Sequence, residues 1–312
     1  MSKLNKTKQH TISESFNFQG KGLHTGLNIN LNFVPAPENH GIKIQRVDLP
    51  EKPVMDAVAD YVGQTVRGTV LTKDEMQVST IEHAMAALYA LGIDNCLLEV
   101  DAPEFPILDG SSRFYVQKIN EVGITEQAAT RNYYKIRDKI SYKNPETGSE
   151  ISISPDDKFC IEVEIGFRSK FLKNQTAILN NLDEFPEGFS EARTFVFVRE
   201  IEPLLKMNLI KGGDLKNAVV IYDQERSQES MDNLSDKLGQ PHIDATKLGY
   251  ITGDLFYENE PARHKLLDVI GDISLVGIPL IGKISAVHPG HSTNTQLAKM
   301  IRNVMMNDLY NA

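Results

Sequence analysis

Residues 79–100 read STIEHAMAALYALGIDNCLLEV, and residues 263–287 read RHKLLDVIGDISLVGIPLIGKISAV. Each stretch is a helix pattern, then a Gly-Ile pair, then an apolar strand pattern. Gly92 and Gly277 stand where a helix ends in a left-handed residue, a place that favours glycine because it has no Cβ. Laying Gly92-Ile93 over Gly277-Ile278 sets His83 opposite Asp268. A duplicated α+β unit explains the echo. A chance similarity between two helix-to-strand turns explains it equally well, since glycine is common at helix ends.

Around these two units the chain alternates between strand and helix patterns. Residues 11–35 show period-two alternation about Gly20, Gly22 and Gly26, which predicts a β-hairpin. Short strands follow over 41–71 (GIKIQRV, then VRGTVL). After the first unit come a turn-rich loop, PEFPILDG, and a second helix, SSRFYVQKINEV, closed by Gly123. Residues 124–135 are polar and unpatterned, which places a boundary there and divides the chain into 1–128 and 129–312. Strands resume in YYKIRDKISYK, SEISISP and KFCIEVEIGF. Residues 200–223 predict a short helix, a Gly-Gly turn and a strand. Pro261 suits the first turn of the second unit's helix, and TNTQLAKMIRNVMMNDLY predicts a final helix.

Composition narrows the function. With 312 residues, 41% of them hydrophobic, the chain can bury a full core without covalent staples. A formal net charge of −9 argues against a general nucleic-acid binder, which needs a basic footprint. Cys96 and Cys160 each sit in an apolar run, which predicts buried thiols in a reducing compartment and no disulfide framework. The opening MSKLNKTKQHTISES has no apolar segment of a secretory leader. The apolar run at 84–93 is too short to span a bilayer. The expectation is a cytoplasmic protein with no stable membrane insertion.

Three places hold candidate chemistry. On a helix at about 100° per residue with His264 at zero, Asp268 falls at about 40°, Asp272 at about 80° and Lys265 at about 100°. Leu266, Leu267, Val269, Ile270 and Ile273 cover the rest of the helix. A His and an Asp four residues apart can share one metal ion in an open site. They also suit a solvated face with an ion pair. Glu82-His83 is the second place. It suits a metal ligand beside a general base, but Ser79-Thr80-Ile81-Glu82 also matches a capping box. The third is VHPGHSTNTQ (287–296), read as a loop after a strand, where a histidine can act as a general acid or stand incidentally in a turn.

Taken together, STIEHAMAALYALGIDNCLLEVDAPEFPILDGSS, ARTFVF, RHKLLDVIGD, LIGKISAVHPGHSTNTQL and GKGLHTG resemble, in order and over nearly the whole chain, the signature blocks of the UDP-3-O-acyl-N-acetylglucosamine deacetylases. These are zinc amidases of lipid A biosynthesis in Gram-negative bacteria. The resemblance implies an α+β fold of two similar domains with small inserts, each a β-sheet packed on helices, and an active site at their interface. It implies one zinc ion per chain, held by His83, His264 and Asp268. Glu82 matches the general base, and His291 the cation that protonates the leaving amine. Asp272 matches the carboxylate that orients His291, Thr194 an oxyanion donor and Lys265 a lysine facing the substrate. Phe195 and Gly213 match substrate contacts. Residues 200–223 match an apolar passage for the acyl chain, which Leu204 and Met207 suit; core packing is the competing role for each. The substrate implied is a UDP-linked acylated amino sugar, with no nucleic-acid partner. In some bacteria such a chain is fused to a hydroxyacyl-carrier-protein dehydratase, a domain absent here.

The chain departs from the pattern in places. Arg67 stands where some relatives carry a cysteine near the metal, and is free to meet an anionic substrate group. Gly166 precedes Phe167 where relatives can carry an acidic residue, so Phe167 is only a candidate for stacking on uracil. His24 suits either the site or a structural role. Competing functions are an amidohydrolase of another acylated amino sugar and a binding module that has lost its chemistry. The second predicts erosion of the polar set, yet Glu82, His83, His264, Asp268, Asp272 and His291 are all present.

Overall fold

A computed structural model describes residues 8–310. The first part of the leader reading, residues 1–7, lies outside the described residues. In chain order the first half contains β1 (Lys8–Ile12), β2 (Phe16–Lys21), β3 (Asn28–Pro35), β4 (Ile42–Arg46), β5 (Val54–Asp56), β6 (Leu71–Lys73), β7 (Met76–Val78), α1 (Glu82–Leu91), β8 (Cys96–Val100), α2 (Arg113–Val122) and β9 (Ile124–Thr130). The second half contains β10 (Tyr134–Lys135), β11 (Ile140–Lys143), β12 (Glu150–Ser154), β13 (Phe159–Ile165), β14 (Gln175–Leu179), α3 (Phe185–Gly188), β15 (Phe195–Phe197), α4 (Val198–Lys206), β16 (Val219–Tyr222), α5 (Gln228–Leu238), β17 (Gly249–Tyr250), α6 (Glu260–Ile273), β18 (Leu280–Val287) and α7 (His291–Tyr310).

The echo between the two units extends to whole sheets. The first sheet runs β2-β3-β8-β4-β5 and the second runs β11-β12-β18-β13-β14, with β10 added beside β18. In each, the strand after the long helix lies at the centre, antiparallel to one neighbour (β3 or β12) and parallel to the other (β4 or β13). Chance resemblance of two turns does not produce matching strand order and direction throughout. Gly92 and Gly277 both take left-handed backbone, as expected.

The two long helices meet face to face. α1 packs on α6, and α6 and α7 pack on the second sheet. α2 covers the first sheet, where Tyr115 sits edge-on to Phe18. Nine of the ten residues of α1 are buried. A helix apolar nearly all round belongs in an interior, and here it lies against α2 and α6. Gly271 lets the contact close. A Cβ at that position would lie 2.2 Å from the carbonyl oxygen of Glu82, so any side chain there would force α6 off α1. One hydrophobic core joins both halves, while residues of β16, α4 and α5 form a smaller cluster of their own.

Several local expectations are corrected. Residues 124–130 are not an unpatterned linker but β9, which pairs antiparallel with β1; the polar side chains alternate on a half-exposed ribbon. Residues 66–68 of VRGTVL are bends, and strand begins only at Leu71. The Ser79 capping box does not form. Thr80 has φ of 57°, which turns the chain before α1, so Ser79 lies outside the helix end and bonds Pro103 instead. His291 is not in a loop but is the first residue of α7. The sequence reading passed over α5 altogether.

Candidate active site and metal centre

The α1–α6 contact brings the ionisable residues of both helices together. Asp268 Oδ1 lies 3.4 Å from His264 Nε2 and 3.9 Å from His83 Nε2. One donor atom from each of the three falls within 4.8 Å of the others, and all three residues are buried. The face of α6 read as possibly solvated is therefore interior at His264, Asp268 and Asp272.

These residues fit a metal ion. Asp268 Oδ1 is buried with no hydrogen-bond partner among the described residues. Leaving such an atom unsatisfied costs about 1–3 kcal/mol, and more for a charged group, unless something binds it. The His264 ring meets the Ala192 carbonyl at 2.9 Å through Nδ1. That bond puts the proton on Nδ1 and leaves the Nε2 lone pair facing the cluster, a usual support for a ligating histidine. Burial, with the neighbouring His264 ring, pushes His83 down to about 3, and burial also lowers His264. Both rings are thus neutral, as ligation requires. Burial works against the Asp268 anion, but the cations beside it, Lys265 and His291, hold its carboxyl below the usual range.

Beside the cluster lies a pair with opposed protonation. Glu82 Oε1 is 3.9 Å from His291 Nε2. Burial raises Glu82 to about 7, with Asp268 and Asp272 adding to the rise and His291 opposing it. Burial would neutralise His291, yet Asp272, Asp268 and Glu82 lift it to about 9. The strongest of these is Asp272, whose Oδ2 accepts from His291 Nδ1 at 2.9 Å and from Asn294 Nδ2 at 2.9 Å. Thr69 donates its hydroxyl to the other Asp272 oxygen, and its backbone N–H to Glu82 Oε2 at 3.2 Å. An imidazolium at the N-terminus of α7 opposes the helix dipole, so the buried carboxylate is what keeps it charged.

Thr69 and Asn294 were missed by sequence reading. Asn294 stands three residues after His291, one helical turn on, a spacing that would have exposed it had α7 been started at His291. Thr69 reaches Asp272 across 203 residues, and no local pattern announces that. Glu104 was missed as well. It is fully buried and accepts from the backbone of His24 and Thr25 and the hydroxyls of Thr25 and Thr80, so it anchors the GKGLHTG turn to the start of α1.

A cavity of about 360 Å³ opens over the cluster and runs into the segment 195–251. Thr194, Phe195, Gly213, Leu204, Lys265, Arg67 and His24 all line it. Lys265 is held between Asp268, at 2.8 Å, and the ring of Phe195, at 5.5 Å. Arg67 is not free for a substrate anion as it stands: it is paired at 2.8 Å with Glu200 of α4. Two expected contacts fall outside the cavity wall. Met207 is 56% exposed at the end of α4, where the helix turns its side chain to solvent. Phe167 packs behind the wall on Phe195 and Phe197, with ring centroids 5.5 and 5.4 Å away.

Twin α+β sheets that bury a His-His-Asp cluster, with a carboxylate and an imidazolium kept at odds alongside, make a site fitted to a metal ion. The family model described as UDP-3-O-acyl N-acetylglycosamine deacetylase matches residues 9–236 and 243–303. A protein of Bacteroides thetaiotaomicron named bifunctional enzyme LpxC/FabZ is 55% identical over 296 residues, covering 95% of this chain and 64% of that protein. A similarly named protein of Porphyromonas gingivalis is 56% identical over the same shares. The UDP-3-O-acyl-N-acetylglucosamine deacetylase of Myxococcus xanthus is 37% identical, covering 94% of this chain and 86% of that protein. The chain belongs to the UDP-3-O-acyl N-acetylglycosamine deacetylase family. It spans somewhat less than two thirds of the bifunctional relatives.

Proposed function

We propose that this chain hydrolyses the N-acetyl group of a UDP-3-O-(3-hydroxyacyl)-N-acetylglucosamine, releasing acetate, in the cytoplasm, as the committed step of lipid A biosynthesis. The observation that carries the reading is the opposed pair: a carboxylate and an imidazolium held 3.9 Å apart beside three neutral-or-anionic ligand groups. Amide hydrolysis needs a base for water and an acid for the departing amine at one place. His83, His264 and Asp268 would hold one zinc ion. Bound there, zinc supplies Lewis-acid polarisation of the carbonyl and makes water more acidic.

In this reading Glu82 takes a proton from the attacking water. His291, charged and aimed by Asp272, donates its Nε2 proton to the amine nitrogen as the C–N bond breaks. The Thr194 hydroxyl donates to the oxyanion, a preorganised contact worth ~3 kcal/mol in comparable sites. Lys265, at the cavity wall between Asp268 and Phe195, faces the sugar. Asp272 is a positioning residue, supported by Asn294 and Thr69. The apolar branch of the cavity past Leu204 takes the acyl chain, and Phe195 and Gly213 border the way in.

The test is acetate release from the acylated UDP-sugar and from UDP-N-acetylglucosamine, by wild type and Glu82→Gln, with zinc content measured. Wild type should strongly prefer the acylated sugar. Glu82→Gln should keep zinc and lose about 10²–10⁴-fold in turnover. Near-normal turnover in Glu82→Gln would remove Glu82 from the chemistry. Equal use of the two sugars would refute the lipid branch.

A further inference from the structure

We infer that Arg193 and Glu260 are positioning residues: their ion pair fastens the strap 192–194 to α6 and so aims both the His264 ring and the Thr194 hydroxyl. This rests on the proposed function only for the role of Thr194. Three consecutive residues of the strap each make a different connection. The Ala192 carbonyl accepts from His264 Nδ1 at 2.9 Å. Arg193 donates its backbone N–H to Glu260 Oε1 at 3.0 Å. Its guanidinium bonds both carboxylate oxygens, through Nε at 2.8 Å and Nη2 at 3.0 Å. Thr194 lines the cavity, while its N–H donates to the Gly110 carbonyl at 2.7 Å and its carbonyl accepts from the Val219 N–H at 2.7 Å.

Glu260 opens α6 and stands one helical turn before His264, on the same side of the helix. The ion pair therefore grips α6 next to the ring that the Ala192 carbonyl supports. A strap that slipped along α6 would lose the fork and the Nδ1 bond together, and would carry Thr194 with it. The pair is closed off from water. Glu260 is fully buried and Arg193 largely so. The Phe256 N–H gives the carboxylate a fourth bond at 2.8 Å, and the Phe256 ring covers the guanidinium with its centroid 4.1 Å away. The Asp254 carbonyl accepts from Nη2 at 3.0 Å. A planar fork on a carboxylate fixes orientation as well as distance, which a lysine ammonium does not. A buried pair of this kind adds little stability over well-packed apolar residues of similar volume. Its worth is then the geometry it holds, and support behind a ligating histidine is typically worth about 10–100-fold in metal affinity or activity.

The experiment compares two variants with wild type. Arg193→Lys keeps the charge and loses the fork. Arg193→Met combined with Glu260→Met removes the pair without leaving a lone buried charge. Zinc affinity is measured by competition with a chelator, and kcat and KM on the zinc-loaded protein with the acylated UDP-sugar. Solvent exchange of the His264 Nδ1 proton is followed by NMR. Arg193→Lys should lose about 10–100-fold in zinc affinity and in kcat, with KM nearly unchanged and the Nδ1 proton exchanging faster. The double variant should lose at least as much while unfolding at a similar temperature. Arg193→Lys decides the matter where the double variant does not fold. Unchanged zinc affinity and unchanged proton exchange in a folded variant would overturn the assignment and make the pair a structural tie only. A raised KM with kcat intact would overturn it too, since that marks a group that only binds substrate. If wild type binds zinc and the variants weaken it as described, but wild type releases no acetate, the proposed function is refuted and the fastening of His264 stands.

Discussion

The two halves of the molecule share a sheet and differ in what they insert into it. Between β5 and α1, residues 57–81, the first half carries only a short turn of helix and the β6–β7 hairpin. Between β14 and α6, residues 180–259, the second half carries α3, α4, α5 and a separate three-stranded sheet. The helices differ likewise. α1 brings Glu82 and His83 at its first turn and is otherwise apolar, whereas α6 carries His264, Lys265, Asp268 and Asp272 along one side. The first half therefore brings Glu82 and His83 to a cavity whose apolar branch is lined by the inserts of the second half. A repeated scaffold supplies two rigid helices at a fixed separation, and unequal inserts decide what approaches them.

The most damaging change should be loss of a ligand group from α6. His264→Ala should abolish activity and zinc binding, read by elemental analysis of the purified variant. Full occupancy would mean that the cluster is not the metal centre. Because the three groups come from both halves, dialysis against a chelator should also lower the unfolding temperature of wild type more than that of His264→Ala.

Next comes the contact between the halves. Gly271→Ala places a methyl group against the Glu82 backbone, and overpacking of this kind costs about 1–3 kcal/mol. Denaturant unfolding should show that loss, and turnover should fall further than stability alone explains, since Glu82 moves with its backbone. A variant as stable and active as wild type would show that the helices can part without harm.

The smallest effect sharpens the electrostatics. Wild-type activity should rise with pH as Glu82 ionises and fall as His291, lifted to about 9, loses its proton. Asp272→Asn keeps a hydrogen-bond acceptor but removes the charge that does most to raise the ring. The alkaline limb should move to lower pH, while zinc content stays the same. An unmoved limb would assign it to another group.

Much of this was legible in the chain. The helix, Gly-Ile, strand units and their endings depend on local backbone preference and on apolar spacing, and both are written in consecutive residues. The stripe of His264, Asp268 and Asp272 follows from helical geometry alone. What spacing could not decide was whether that stripe faces water or the interior, because the answer depends on α1, almost 200 residues earlier in the chain. Glu82 shows the same limit: its neighbours match a cap, and only the turn at Thr80 and the Thr69 amide make it a buried carboxylate.

Tertiary structure alone decided the rest. Leu204 in the last turn of α4 and Met207 just past its end are both apolar and three residues apart, yet one reaches the cavity and the other solvent, according to what packs on each side. The opposed protonation of Glu82 and His291 exists only because Asp272 is buried beside one of them and a low-dielectric interior surrounds both. The sequence by itself determined the elements, the repeated frame and the residue types available for chemistry, because these follow from short-range sterics and periodicity. Burial, charge coupling and the shape of the cavity arise from contacts between distant segments, and only the folded chain brings those together.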